Sequence, residues 1–331
     1  MSVKMGLTRA LLKLNKEITI KKINNKKEKL PFLTVTDVIE LDERNVGDVV
    51  KKIALIGVDV TTKQYGGLTC SFLTAKKSSK YFKSTLSRED YIFVYIHGGG
   101  FCNGFALQGA FFMKAIMRRI GCASISPEYS LSPEKRYPTA LNELYEMYLD
   151  LINDYNPNKI IVGGESAGAN LCMALLMKLR DNNKPLPLCA LLSAGYFDLA
   201  NSGKSYINNE ESDVSVTNLQ TPYMSQAYLC GDKPSKDYKK HLTEPYVSPI
   251  YGDFKNLIPM FFSVCSDELL FDDTLTVYDK AKQHNKCFLH ISKKCFHGYM
   301  ATGDFFKESK KVNNLAGHFI KDVLKNQNKT D

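Results

Sequence analysis

The sequence predicts an α/β protein with a mostly parallel central sheet covered by helices on both faces. The first observation is size, because a chain of 331 residues with 44% apolar and 24% charged residues can bury a large core. The second is that short, nearly continuous apolar runs alternate with helical stretches from residue 90 onward. Strands that are apolar on both sides are typical of a parallel sheet between helix layers. The predicted strands are 91–96, 122–126, 160–162, 189–193, 260–265 and 287–291.

Before residue 90, the chain is predicted to form a helix and a hairpin. Leu7, Leu11 and Leu14 recur at helical spacing, which indicates an amphipathic helix over about residues 5–16. Two alternating runs lie on either side of a Gly-Gly pair, which is a hairpin signal. The predicted hairpin strands are 58–63 and 68–75.

Helix-forming stretches separate most of the predicted parallel strands, as crossover connections require. One segment, residues 200–245, interrupts this alternation. It is polar, rich in Asn, Ser, Tyr and Lys, and too long for a simple connection. We predict that it is an insertion over the sheet's edge. The predicted helices are 108–120, 139–153, 167–180, 273–284 and 312–325.

Composition and charge exclude several classes of protein. Nine cysteines without a C-x-x-C pair or zinc-finger spacing predict reduced thiols, no metal site and a cytoplasmic location. No secretory signal and no run of about 18 apolar residues is visible, so we expect no membrane span. The net charge of +9 comes largely from lysine clusters that no aromatic or Arg-rich motif accompanies. We therefore interpret the lysines as a solvated face, in preference to nucleic-acid or anionic-membrane binding.

A G-x-S-x-G motif, Gly164-Glu165-Ser166-Ala167-Gly168, lies between a predicted strand and a predicted helix. In that setting the motif forms a tight turn that presents the serine as a nucleophile. Glycines are needed there because side chains would collide with the neighbouring strand and helix. The turn also places Ser166 at a helix N-terminus, where N–H groups favour negative charge. The alternative, a glycine-rich turn with an idle serine, is disfavoured by the motifs that follow.

The run His97-Gly98-Gly99-Gly100 directly follows another predicted strand. Bare N–H groups there can point into a cavity, and those of Gly98 and Gly99, with that of Ala167, would bind the oxyanion of a tetrahedral intermediate. The competing interpretation is a phosphate-binding loop. It is disfavoured because the run lacks the Lys-Ser/Thr of a P-loop and the G-x-G-x-x-G of a dinucleotide fold. We expect His97 to brace the loop through its ring nitrogens.

These motifs, in this order, resemble the hormone-sensitive-lipase family of α/β-hydrolases, which includes small cytosolic carboxylesterases, acetyl esterases and arylacetamide deacetylases. Two residues depart from the family pattern. Glu165 stands where an Asp is usual, and Ser130 replaces an Arg, which we expect to loosen a structural ion pair. The resemblance implies the α/β-hydrolase fold, a small helical cap and an ester-hydrolysing serine enzyme without cofactor or metal. It covers about residues 58–325 and includes further runs at 128–134, 248–251 and 267–273.

The resemblance also indicates where the acid of the active site lies. In this family the chain order is nucleophile, acid, then histidine. Aligning the acidic pair at positions 272 and 273 with that of the family puts Glu268 at the acid position and leaves Asp267 as the alternative. Neighbouring residues at a strand end point in different directions, so only one should reach the imidazole.

His297 is the predicted general base. It lies in a Phe-His-Gly run after a predicted strand, and this run resembles the family's base loop. Its position and order favour catalysis over the structural role that a lone histidine usually has. The resemblance thus implies that Ser166, Glu268 and His297 perform two-step acyl transfer. We expect activity to fall as His297 becomes protonated.

By resemblance, residues 1–45 are N-terminal cap helices and residues 46–331 form the catalytic domain, with 200–245 as a cap insertion. A small cap and no membrane anchor favour esters with short to medium acyl chains. Several side chains are candidates to line an acyl or alcohol pocket, although plain packing is the favoured interpretation for each. They are Leu7, Leu11, Phe32, Phe101, Phe105, Tyr196, Phe197, Tyr223 and Tyr228.

Two other functions stay open from the sequence. An amidase or deacetylase would use the same triad, because ester and amide substrates differ in their leaving-group contacts. A non-catalytic small-ligand receptor on this fold is disfavoured because His297 is present. The expected partner is a small-molecule ester, and a homodimer is left open.

Overall fold

A single sheet occupies the centre of the molecule. The computed structural model describes residues 1–29, 53–82, 88, 90–232 and 237–327. In chain order the strands are β1 (Val58–Tyr65), β2 (Leu68–Ala75), β3 (Ile92–Ile96), β4 (Ala123–Pro127), β5 (Ile160–Glu165), β6 (Cys189–Ser193), β7 (Met260–Cys265) and β8 (Cys287–Ser292). They form one sheet with the order β1-β2-β4-β3-β5-β6-β7-β8.

The sheet is mostly parallel. β1 and β2 form the predicted hairpin and lie at one edge, where β2 is antiparallel to β4. Every other neighbouring pair of strands is parallel. All residues of β3, β4, β6 and β7 are buried, which explains why these strands are largely apolar. The buried Ser124 and Ser126 of β4 donate their hydroxyls to the carbonyls of Phe93 and Tyr95. The predicted fold class is therefore confirmed.

Helices cover both faces of this sheet. They are α1 (Val3–Lys29), α2 (Ala110–Ile120), α3 (Thr139–Asp154), α4 (Ala167–Asp181), α5 (Ser205–Asn208), α6 (Thr221–Cys230), α7 (Phe271–Ala281) and α8 (Lys307–Gln327). One hydrophobic core lies under α3, α4 and α7 and includes Leu144, Leu171 and Val277. The other lies under α2 and α8 and includes Phe112 and Ile320. The two cores are on opposite faces because side chains alternate across each strand.

The first helix differs from its prediction in length and in orientation. It extends to Lys29, well beyond residue 16. Leu7 and Leu11 point to solvent, so they neither line a pocket nor pack in the core, and the favoured packing interpretation is wrong for both. The physical reason is that α1 carries apolar residues on both sides, and its inward side is the one with Met5 and Ile23. Helical spacing alone does not distinguish the two sides.

The described part of the 200–245 segment contains α5, α6 and the 3-10 turn Asp237–Lys240. Residues 30–45, with Phe32, and residues 233–236 lie outside the described residues, so the boundaries of the cap stay a prediction. Among the helices that the structure describes, none has the length and hydropathy needed to cross a membrane. All nine cysteines are free thiols.

Candidate active site

The loops that carry the predicted site residues leave the carboxyl ends of parallel strands at one edge of the sheet. The glycine run follows β3, the nucleophile follows β5, the acid follows β7 and the base follows β8. Ile96 of β3 pairs with Gly164 of β5, and Cys265 of β7 pairs with Ser292 of β8. This edge is where open α/β sheets bind their ligands.

Ser166 occupies a strained turn between β5 and α4. Its φ of 54° lies in the left-handed region, which a residue with a side chain rarely adopts, and it is the N-cap of α4. Its N–H donates to the carbonyl of Ser193 at 2.9 Å, which ties the turn to β6. A Cβ at Gly168 would lie 2.1 Å from the carbonyl oxygen of Ile96, and one at Gly164 would meet Gly168 at 2.5 Å. Both glycines are therefore required for β3, β5 and α4 to approach so closely.

His297 and Glu268 form a hydrogen-bonded pair. The Nδ1–H of His297 donates to Oε2 of Glu268 at 2.7 Å, and Oε1 of the same carboxylate accepts the N–H of Cys265 at 2.7 Å. The Glu268 side chain is buried, and that of His297 is 12% exposed. Because Nδ1 is engaged as a donor, Nε2 is left as the basic nitrogen of the neutral ring.

The charges around His297 favour its protonated form. Burial disfavours the imidazolium, but the hydrogen bond and charge of Glu268, together with the charges of Asp213 and Glu165, outweigh it and raise the pKa of His297. Burial raises the pKa of Glu268, and its hydrogen bond to His297 opposes that rise. A carboxylate in this position favours the charged ring that forms when a base takes a proton.

Asp267, the alternative acid, points elsewhere. Its Oδ2 lies 3.4 Å from Nη2 of Arg9, and its Oδ1 accepts the hydroxyl of Ser266 at 3.1 Å. It is Glu268 that the structure brings to His297.

Glu165, next to the nucleophile, shows how the base loop meets the nucleophile turn. A Cβ at Gly298 would lie 2.9 Å from Oε2 of Glu165, so the loop after β8 packs against the end of β5. A Cβ at Gly98 would lie 3.2 Å from Cβ of Ser166. The segments that carry Ser166, His297 and the glycine run therefore share one site.

The predicted oxyanion donors lie around this serine. Ala167 is the first residue of α4, where a backbone N–H has no acceptor within the helix. Gly99 has a φ of 118°, and a Cβ there would lie 1.9 Å from the carbonyl oxygen of Asn103. Only glycine fits that position.

His97 braces the glycine run through one ring nitrogen. Its Nδ1–H donates to the carbonyl of Gly98 at 2.8 Å, and its ring stacks on Tyr129 with 4.2 Å between centroids. Burial lowers the pKa of His97 to about 4, so the ring is neutral. Its Nε2 has no hydrogen-bond partner among the described residues, which differs from the expectation that both nitrogens would be used.

Comparison with known families agrees with this geometry. A family described as alpha/beta hydrolase fold matches residues 93–301, which is more than half of the chain. The chain belongs to this α/β-hydrolase family. An esterase from Acinetobacter venetianus is 30% identical over 234 residues, which cover 70% of this chain and 74% of the relative. An acetyl-hydrolase from Streptomyces hygroscopicus is 27% identical over 230 residues, which cover 69% of this chain and 74% of the relative.

Solved structures share the fold. An esterase from the bacterial hormone-sensitive lipase family superimposes with a TM-score of 0.78 at 22% identity, covering 98% of this chain and 99% of that one. A hormone-sensitive lipase from a metagenome library superimposes with a TM-score of 0.73 at 22% identity, and the match covers 87% of this chain and 95% of that one. The resemblance stated from the motifs is thereby confirmed.

In this α/β-hydrolase, Asp213 of the 200–245 segment is a site residue that the sequence analysis missed. Its carboxylate accepts the N–H of Leu269 at 2.9 Å and that of Ser215 at 2.8 Å, and it is buried. It therefore holds the loop that carries Glu268 and adds negative charge near His297. No local motif marks it, because its partner at position 269 is far away in sequence.

Arg9 is a second residue without a sequence signal. Its Nη1 donates to the carbonyl of Cys295, two residues before His297, and its Nη2 donates to the carbonyl of Ser212 at 3.2 Å. With its ion pair to Asp267, one guanidinium joins α1 to the acid loop, the base loop and the insertion. This arrangement makes α1 part of the support of the site.

The two departures from the family pattern have structural partners. Burial raises the pKa of Glu165, whose Oε1 accepts the amide of Gln108 at 3.4 Å. Ser130 donates its hydroxyl to Oε1 of Glu143 at 2.6 Å and its N–H to Oε2 at 2.8 Å. Ser130 therefore binds the Glu143 carboxylate through two hydrogen bonds, without the positive charge that an Arg would add.

Most of the predicted pocket aromatics are core residues. Phe101, Tyr196, Phe197 and Tyr228 are buried, and Phe101 stacks on Tyr228 at 4.0 Å between centroids. This outcome agrees with the packing interpretation. No group of His, Cys, Asp and Glu that could hold a metal occurs within the described ranges.

Proposed function

We propose that this protein is a serine carboxylic-ester hydrolase that acts on esters with short to medium acyl chains through an acyl-enzyme intermediate. The observation that carries the proposal is the 2.7 Å hydrogen bond between His297 and the buried Glu268, at the sheet edge where Ser166 occupies its strained turn. A buried carboxylate on Nδ1 leaves the opposite ring nitrogen as a base.

The first half of the reaction forms the acyl-enzyme. The Oγ of Ser166 attacks the ester carbonyl while Nε2 of His297 takes its proton. The N–H groups of Gly98, Gly99 and Ala167 stabilise the oxyanion, each contributing about 3–4 kcal/mol to lowering the barrier. His297 then protonates the leaving alcohol.

The second half releases the acid. Water gives a proton to Nε2 of His297 and attacks the acyl carbonyl, and the same amides stabilise the second oxyanion. The collapsing intermediate expels Ser166, which recovers its proton from His297. Glu268 holds the ring in the required tautomer throughout and favours the imidazolium in each half.

The substrate class is supported by the names of the relatives and by the roof of the site. The relatives are named esterase and acetyl-hydrolase, which favours esters over amides and short acyl groups over long ones. A Cβ at Gly100 would lie 2.4 Å from Sδ of Met224, so α6 covers the glycine run closely. A rate maximum at palmitate in a 4-nitrophenyl ester series from acetate to palmitate would reject this substrate class.

A fluorophosphonate probe tests the nucleophile directly. We expect stoichiometric labelling of the wild type and none of Ser166→Ala, with turnover of the butyrate ester lost in parallel. Labelling that persists in Ser166→Ala would assign the nucleophile to another residue. Matched aryl esters and anilides then separate an esterase from an amidase or deacetylase.

A further inference from the structure

The outward face of α1 carries a continuous apolar row, which we call the α1 stripe. It consists of Val3, Leu7, Leu11, Leu14 and Ile18, which are between 45% and 84% exposed. Steps of three and four residues place them one above another on a helix. At 1.5 Å per residue, the stripe is about 22 Å long.

The α1 stripe is not needed to attach the helix to the protein. The opposite face does this, because Met5 and Ile23 are fully buried there. On the same side, Lys16 donates to the carbonyls of Glu210 and Asp213 at 2.5 and 2.8 Å. Single exposed leucines are common on protein surfaces, but a contiguous row on a helix that is already docked indicates a further partner.

The charge of α1 indicates what kind of partner this is. The helix contains eight lysines and one arginine against two glutamates, a net charge of +7 in a chain whose total is +9. Lys13 and Lys21 are exposed. A second copy docked through the same stripe would bring two such helices together, and their like charges would repel. An anionic surface is attracted by the same charge.

We infer that α1 lies on an anionic phospholipid bilayer, with its stripe at the boundary of headgroups and acyl chains and its exposed lysines among the headgroups. A helix with an apolar face and many lysines binds membranes in this way, parallel to the surface. Each lysine near an anionic surface adds to the attraction, and salt weakens it.

This geometry has a consequence for the substrate, which rests on the proposed function. Arg9, on the inward side of α1, contacts the segments that carry Glu268 and His297. A bilayer under the α1 stripe would therefore be separated from these segments by α1 itself, a distance of about 10–12 Å. The substrate class that fits is an ester with a short acyl group and a lipophilic alcohol, dissolved in the membrane.

Vesicle flotation with the full chain tests the docking surface. We expect the wild type to float with phosphatidylcholine vesicles that contain phosphatidylserine, and not with phosphatidylcholine alone. The triple variant Leu7→Gln/Leu11→Gln/Leu14→Gln should lower the bound fraction at least about tenfold. Ile56→Gln is the matched control, because Ile56 is 66% exposed against 69% for Leu11.

A charge variant keeps the test valid if the triple variant does not fold. Lys13→Gln/Lys21→Gln should weaken binding more than Lys321→Gln/Lys325→Gln on α8, and added salt should release the wild type. The proposal is overturned if the wild type does not bind phosphatidylserine vesicles or if both lysine pairs behave alike. It is also overturned if light scattering finds a dimer that the triple variant dissociates, because the stripe would then be an interface between copies.

Activity separates this proposal from the proposed function. The triple variant should hydrolyse a water-soluble acetate ester at the wild-type rate but lose about tenfold on the acetate of a long-chain alcohol in anionic vesicles. Equal loss on both substrates would contradict a docking role. Ser166→Ala should lose both activities but should still float with the vesicles. If this variant kept its activity, the result would count against the proposed function and not against membrane binding.

Discussion

Replacing Glu268 by glutamine tests the site at its most constrained hydrogen bond. Each carboxylate oxygen now accepts one N–H, from Cys265 and from His297, both at 2.7 Å. A glutamine amide has a single oxygen, so it must turn its NH₂ group towards one of these two donors. Either the backbone N–H of Cys265 loses its acceptor, or His297 changes to the tautomer that carries its proton on Nε2.

The expected loss of kcat follows from that exchange of tautomers. A ring with its proton on Nε2 cannot accept the proton of Ser166, and triads with this defect lose about 10³–10⁴-fold in kcat, or about 4–5.5 kcal/mol. One unsatisfied buried donor costs about 1–3 kcal/mol of stability, so the variant should still fold. Burst kinetics with 4-nitrophenyl acetate, alongside a urea melt, would measure both quantities.

The neighbouring residue supplies the matched control. Asp267 lies on the same loop, but its carboxylate pairs with Arg9 at 3.4 Å and is partly exposed. Such a pair contributes about 1 kcal/mol or less, so Asp267→Asn should change kcat by less than about fivefold. If Asp267→Asn lost most of its turnover while Glu268→Gln kept it, the assignment of the acid would be wrong.

Three further predictions follow from the same contacts. Burial favours a neutral His297, but the nearby carboxylates outweigh burial and raise the pKa of His297. We therefore expect kcat/KM to fall as the pH drops, with a midpoint above about 6.5. A flat profile from pH 5 to 8 would argue against a histidine base. Arg9→Ala removes the donor to the carbonyl of Cys295, so kcat should fall about tenfold and recover in part in Arg9→Lys. If the two variants lowered kcat equally, a role of Arg9 in positioning the base loop would be contradicted. Gly168→Ala puts a Cβ 2.1 Å from the carbonyl oxygen of Ile96, so the free energy of unfolding from a urea melt should fall by about 2 kcal/mol. An unchanged midpoint of urea unfolding would refute the packing argument.

The alternation of strands and helices was predictable because it depends on local patterns. A strand buried on both faces must be largely apolar, as β3 and β7 are, and its helices follow within a few residues. The ends of the elements were less predictable. The helix predicted over 312–325 begins at Lys307, because polar residues of its first turn fit a helix as well as a loop.

The face of α1 could not be predicted from spacing. Leu7 and Leu11 recur as an inward face would, yet Met5 and Ile23 are the residues that pack. The choice depends on which side meets the insertion and α8, where the N–H of Ser2 donates to Oε1 of Glu308 at 2.5 Å. Such a contact joins opposite ends of the chain and has no local signature.

The sequence by itself determined where the turn at Ser166 and the glycine run lie, because each is a short local motif after an apolar strand, and Gly99 has a backbone φ of 118° that glycine adopts readily. Only the tertiary structure decided that Glu268 meets the imidazole while Asp267 turns to Arg9. Two adjacent carboxylates have the same chemistry, and the difference between them is the direction in which β7 releases each one. That direction depends on loops and helices from the whole chain.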